Sequence, residues 1–224
     1  MSQQIQQSTD RTAARTEART FPTANDLPPG TRGTVIRSLN QMLADTTDLT
    51  TQLKFAHWNV KGINFYQLHL LFDEIAEVLE GHADMLAERA TSLGGQAMGT
   101  ARMAAANSSI PELSADTVTG PQYVEEVTEH LAVHAANLRD GIDYAASCGD
   151  EDTADLYTEL SREVDQQLYF LESHLQTQFE GTASQLESGQ MGQQPPWAAP
   201  TQRSGAPQPQ RVTFSGAQQP GQYQ

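Results

Sequence analysis

Five residues have the types and spacing to do metal chemistry together: His57, His69, Asp73, Asp84 and Glu88. Imidazole nitrogen and carboxylate oxygen are donors that divalent first-row metals accept, and a set without cysteine points away from structural zinc. On a helical wheel at about 100° per residue, His69, Asp73, Asp84 and Glu88 fall in one stripe roughly 100° wide, and Glu77 and Glu80 join it. A solvated carboxylate face has the same pattern. One fact separates the two readings. The pairs His69/Asp73 and Asp84/Glu88 stand about 22 Å apart on a helix rising 1.5 Å per residue. One metal cannot use both pairs of one helix, but two antiparallel copies can supply it. Positions 69 with 88, 73 with 84, and 77 with 80 share the sum 157. A two-fold axis between Val78 and Leu79 would set His69 near the partner's Glu88 and Asp73 near the partner's Asp84. An isologous dimer does this twice, making two identical split sites. His57 adds naturally to the His69/Asp73 side. Two imidazoles and three carboxylates with open positions suit Fe(II), with zinc, manganese and cobalt as other candidates.

Helices must position these residues. Apolar residues recur at three and four from about Thr31 to Trp58, which predicts a first helix. Gly62 breaks it, and a second helix is expected from about Tyr66 to Leu93, stopping at Gly94-Gly95. Its other face carries Leu68, Leu71, Phe72, Ile75, Val78, Leu79, Met85 and Leu86, a core face. A long connection, 96–120, is expected to hold one short helix near Pro111. Two more helices follow, Pro121 to about Gly149 and Asp150 to about Phe179. The short loops make two antiparallel hairpins, and the long connection can cross between them. A four-helix bundle with one long crossover is the ferritin-like arrangement, though a plain bundle fits the same pattern. The fold class is therefore all-α.

The chain has 224 residues and a formal charge of −15, all of it in the middle. Residues 1–30 balance three arginines against three acids, and 180–224 balance two against two. An acidic core repels nucleic acid and anionic membranes and attracts cations. Residues 1–30, and the Gln/Pro/Gly-rich 181–224, are too poor in large apolar groups to offset chain entropy and are expected to be disordered tails around a 31–180 bundle. Cys148 is alone, so no internal disulfide framework is expected. Without an apolar leader or a run of about 18 apolar residues, a soluble, cytoplasmic protein is expected.

Other candidate ligands are weaker. His130 and His134 are one turn apart, but no Glu follows His130, so the His-Glu-x-x-His pattern fails. These two, with His82 and His174, read as structural. No Glu-x-x-His motif occurs on the last two helices, where ordinary ferritins build a site within one subunit. Asp150, Glu151, Asp152 and Asp155 cluster where the last helix begins, and capping with dipole complementarity explains such a cluster.

The five ligands resemble the ferroxidase signature of the Dps family, the mini-ferritins: His-x11-His-x3-Asp-x10-Asp-x3-Glu, met here at every spacing. The flanks HWNVKG, LH…FD and D-x-x-AER…LGG match too, and DEDTADLYTELSREVDQQLYFLESHL looks like the family's last helix. The resemblance spans about 31–180. It implies a hollow shell of twelve subunits built on two-fold dimers, with a di-iron site at each dimer interface. It implies oxidation of Fe(II) by hydrogen peroxide or oxygen and storage of Fe(III) mineral. Trp58 matches the family's tryptophan near the site, where it could absorb stray oxidising equivalents or simply fill core. Glu77 and Glu80, with Glu74 beside them, could nucleate mineral. The Asp150, Glu151, Asp152 and Asp155 cluster would line pores that admit Fe(II), a role compatible with capping. Many members also coat DNA through basic tails, the alternative function here. This chain offers only Arg11, Arg15 and Arg19, with Lys54 and Lys61 its sole lysines. Its acidic shell opposes phosphate binding. Nucleoid association would follow only if DNA is bound.

Overall fold

The computed structural model describes residues 19–176. The expectations for 1–18, including Arg11 and Arg15, for the C-terminal tail and for 177–179 as helix lie outside the described residues, whereas 19–30, expected as disordered tail, are ordered: Phe21 N–H donates to Gly94 O at 2.7 Å and the first helix already begins at Pro29. Five helices form the described chain: α1 Pro29–Asn59, α2 Phe65–Ser92, α3 Ala101–Asn107, α4 Gly120–Ser147 and α5 Glu151–Gln176. α1 packs on α2 and α4 on α5, and α1 against α4 joins the hairpins. Leu39, Met42, Leu49, Leu53, Leu79, Leu86, Leu131 and Val164 are among the side chains buried between the helices.

The boundaries follow from local chemistry. Pro29 sits in the first turn of α1, where its missing N–H costs nothing. Gly62, at φ 118°, makes the tight turn into α2. α2 ends in a Schellman motif: Gly94 N–H donates to Thr91 O at 2.9 Å and Gly95 N–H to Ala90 O at 2.9 Å. α4 ends the same way through Gly149 and Asp150, bonded to Ala146 and Ala145. Asp150 then turns to cap α5, accepting from Thr153 N–H at 3.1 Å and from Thr153 Oγ–H at 2.7 Å. Three residues thus complete the α4–α5 turn.

The short helix of the crossover lies at Ala101–Asn107, not near Pro111. Thr100 caps it and Ala-Arg-Met-Ala-Ala-Ala are good helix formers. Proline disfavours helix in the residue before it. Around Pro111 the chain instead lets Ile110 and Leu113 reach the core. A polar stripe along α1 holds this crossover down. Asn40 bonds to Gln96 O and Met98 N, and Gln41 to Asn107 O. Buried Asp45 accepts from Ser109 N and Oγ, and Gln52 donates to Pro111 O. Burial pushes the Asp45 carboxyl up to about 6 against these hydrogen bonds.

Candidate metal centre

The tight α1–α2 turn brings the last turn of α1 against the first turns of α2. His57 and His69 meet there and lock one another. His57 Nδ1 lies 2.7 Å from the carbonyl of His69, and His69 Nδ1 lies 2.9 Å from the carbonyl of His57. A carbonyl only accepts, so both Nδ1 atoms carry the proton. In the neutral ring Nε2 then keeps its lone pair, the state a metal needs, oriented by the outer hydrogen bond. The rings stack at 3.7 Å and 19°, and Phe65 stacks on His69 at 5.2 Å.

Asp73 sits one turn beyond His69, with Oδ1 3.8 Å from His57 Nδ1. It also receives Lys54 Nζ at 2.5 Å. That hydrogen bond, ahead of all other causes, lowers the Asp73 carboxyl below its ordinary range and raises the Lys54 ammonium. Glu77 and Glu80 raise Lys54 further. Lys54 thus places a positive charge where the ligand set would place a cation. Its sequence context gave no sign of this, although its place three residues before His57, on the same helix face, is consistent with it.

Asp84 and Glu88 occupy the other end of α2, exposed, and among the described residues no hydrogen bond or ion pair reaches either carboxylate. Among the described residues of one subunit, no three His, Cys, Asp or Glu gather into a metal-holding group. Glu74, Glu77 and Glu80 are exposed between the two ends. Trp58 is 67 % exposed and contributes no packing to this subunit's core.

At the start of α5 the four acids part company. Asp150 is 2 % exposed and bonds Arg89 of α2 at 2.6 Å as well as Thr153. It is a cap and a tie between helices, away from solvent. Glu151, Asp152 and Asp155 are exposed. Arg89, beside Glu88, is a residue the sequence reading missed. Its flanking motif Ala-Glu-Arg was visible, but its partner is 61 residues away. His130 bonds Gln52 at 2.8 Å, and His82 bonds Glu163 at 2.7 Å, as structural histidines do. Arg19, the one tail arginine among the described residues, is exposed.

Known proteins share this fold. Residues 36–178 match the ferritin-like domain family. The DNA protection during starvation protein of Agrobacterium fabrum is 37 % identical over 158 residues, covering 70 % of this chain and 98 % of the relative. DpsC from Streptomyces coelicolor superposes with a TM-score of 0.67 at 31 % identity, over 70 % of this chain and 91 % of that one. The Dps protein from Vibrio cholerae O1, described as a member of a broad superfamily of ferritin-like diiron-carboxylate proteins, gives 0.64 at 25 %, over 70 % and 99 %. With the all-helical fold and its single long crossover in place, the chain belongs to the ferritin-like family and, within it, to the Dps mini-ferritins.

Proposed function

We propose that this protein is a ferroxidase and iron store whose sites are each split between two subunits. The observation that carries this reading is the division of labour on α2. One end presents two tautomer-locked imidazoles with free Nε2 atoms, and the other presents two unpaired carboxylates about 22 Å away. An antiparallel α2–α2 dimer unites them, with His57, His69 and Asp73 facing the partner's Asp84 and the partner's Glu88. Trp58, Ile63, Phe65, Tyr66 and Leu70, exposed around the imidazole end, give such an interface apolar surface to cover. Twelve subunits in a hollow shell, inferred from the family, would then enclose the mineral.

Fe(II) is the substrate. Two Fe(II) ions at one site can give two electrons together to hydrogen peroxide: with two protons, the peroxide O–O bond breaks to two waters and both irons become Fe(III). A lone Fe(II) gives one electron and releases hydroxyl radical. The imidazoles and carboxylates supply charge and geometry for the pair, and Trp58 stands where a stray oxidising equivalent would emerge. Glu74, Glu77 and Glu80 form an acidic wall suited to ferric nucleation. Glu151, Asp152 and Asp155 offer solvent-facing charge for a pore that admits Fe(II). The charge and the lack of any membrane-spanning helix among the described residues agree with a cytoplasmic protein.

DNA coating is the second reading, favoured by the name of the Agrobacterium relative and opposed by the charge of −15. Two experiments separate them. Fe(II) added anaerobically and followed by peroxide should give rapid ferric absorbance, and a gel shift across salt should show DNA released at moderate ionic strength. Peroxide that fails to speed oxidation, with DNA retained, would reverse the assignment.

A further inference from the structure

The α1–α2 turn and the start of α4 lie side by side. Gly120 N–H donates to the carbonyl of Lys61 at 3.2 Å, and Lys61 and Thr119 pair as a single parallel bridge. Between them runs an open groove of about 200 Å³, lined by Gly62, Ile63, Val118, Gly120 and Pro121 with Lys61. Val118 is 57 % exposed and Ile63 98 %, so nothing within the described subunit covers this apolar surface. Contiguous exposed apolar surface of this kind marks a contact site.

The described chain ends beside the groove. α4 and α5 are antiparallel, and Gly141 faces Tyr157: a Cβ on Gly141 would lie 3.1 Å from the Tyr157 ring. Nineteen residues along each helix from that contact, Gln176 stands opposite Gln122, next to Pro121. Another 48 residues follow Gln176. Their longest run without a polar side chain is Pro195, Pro196, Trp197, Ala198, Ala199 and Pro200. It begins 19 residues past Gln176. A flexible tether of that length spans roughly 22–26 Å on average, against about 8–10 Å between packed helix axes. Such a tether keeps the run near the groove at about millimolar effective concentration. The chemistry also matches. Trp197 offers a large apolar ring, and the prolines lower the entropy lost on docking. Lys61, whose Nζ lies 6.0 Å from the Phe65 ring centroid, is a cation that suits a tryptophan face best. The segment 180–224 is neutral, so the acidic bundle does not repel it.

We propose that residues 195–200 of the chain's own C-terminal segment dock in this groove, with Trp197 as the anchor. The docking is independent of whether the interfacial site oxidises iron. Trp58 and Trp197 are the two tryptophans of the chain, so the full-length Trp58→Phe protein reports Trp197 alone. Its emission is expected at shorter wavelength than in urea, with weaker quenching by acrylamide. In that background, Val118→Asp places a charge in the groove at an exposed position. Both signals should then return to their urea values, with particle mass unchanged. Pro121→Asp is run beside it, both checked by circular dichroism. Pro121 is exposed and an acidic residue suits the first turn of a helix, so this variant carries the test should Val118→Asp not fold. Emission already at the urea value in the folded Trp58→Phe protein would overturn the proposal, as would a shift that survives the folded groove variants. A shell that falls apart in those variants would mean that a neighbouring subunit covers the groove, and would overturn it as well.

Discussion

The two ends of α2 carry candidate metal ligands at the same spacing of four, an imidazole with a carboxylate at one end and two carboxylates at the other, and are built differently. At the first end, His57 and His69 are held by each other's backbone and Asp73 already has a cation, Lys54. At the second end, Asp84 and Glu88 are bare and exposed. The nitrogen half is organised within one subunit, and under the proposed split site the carboxylate half would be completed by a partner. The difference teaches where precision is needed. An imidazole is useful to a metal only in one tautomer and orientation, so its outer hydrogen bond must be fixed. A carboxylate has two equivalent oxygens, and an exposed one can adjust.

This contrast can be broken at either end. His69→Ala or Asp84→Ala should each lower peroxide-driven Fe(II) oxidation by more than about 100-fold, since outer partners alone are worth about 10–100-fold. Stopped-flow ferric absorbance measures it, and equal losses from opposite ends of one helix are the signature of a shared site. The carboxylate end is also where the fold ties α2 to α5. Arg89→Met leaves Asp150 buried and unpaired, and should cost about 3–5 kcal/mol of stability by denaturant unfolding while the ligands stay intact. A loss under 1 kcal/mol would show that Asp150 needs no partner.

Asp45, which pins the crossover, gives a pH signature. Its carboxyl is raised to about 6 in the folded protein from 3.8, so the folded state holds the proton more tightly than the unfolded one. Its contribution is full below about 4 and is lost as pH rises through 6. The stability of the wild type relative to Asp45→Asn should therefore fall by up to about 3 kcal/mol between pH 4 and 7. A difference that rises with pH would contradict the burial argument. The smallest effect is expected at the organised end. Lys54→Met should tighten Co(II) or Fe(II) binding by up to about fivefold, the range of a solvent-exposed ion pair. Asp73 remains ionised at neutral pH without Lys54, so the gain comes from lost competition alone.

Much of this was legible in the sequence. Four long helices and their glycine stops follow from period and spacing, as do the five candidate ligands of the proposed site. The proposed split of the site rests on helix rise, because the 15-residue separation of His69 and Asp84 cannot be folded away inside one helix. Contacts between distant segments were not legible. Nothing local marks Lys54 for Asp73, Arg89 for Asp150, or Asp45 for Ser109, since each pairing depends on how helices sit side by side. The short helix was misplaced because a proline drew attention to 111, while Thr100 and the alanines after it held the stronger signal.

The split site is tested most directly by mixing. His69→Ala and Asp84→Ala subunits, each inactive, are dissociated, combined in equal amounts and reassembled. In a mixed dimer one site inherits both defects and the other inherits none, so random pairing predicts about a quarter of wild-type oxidation. Mixed shells, verified by mass, that recover no activity would contradict a site shared between subunits.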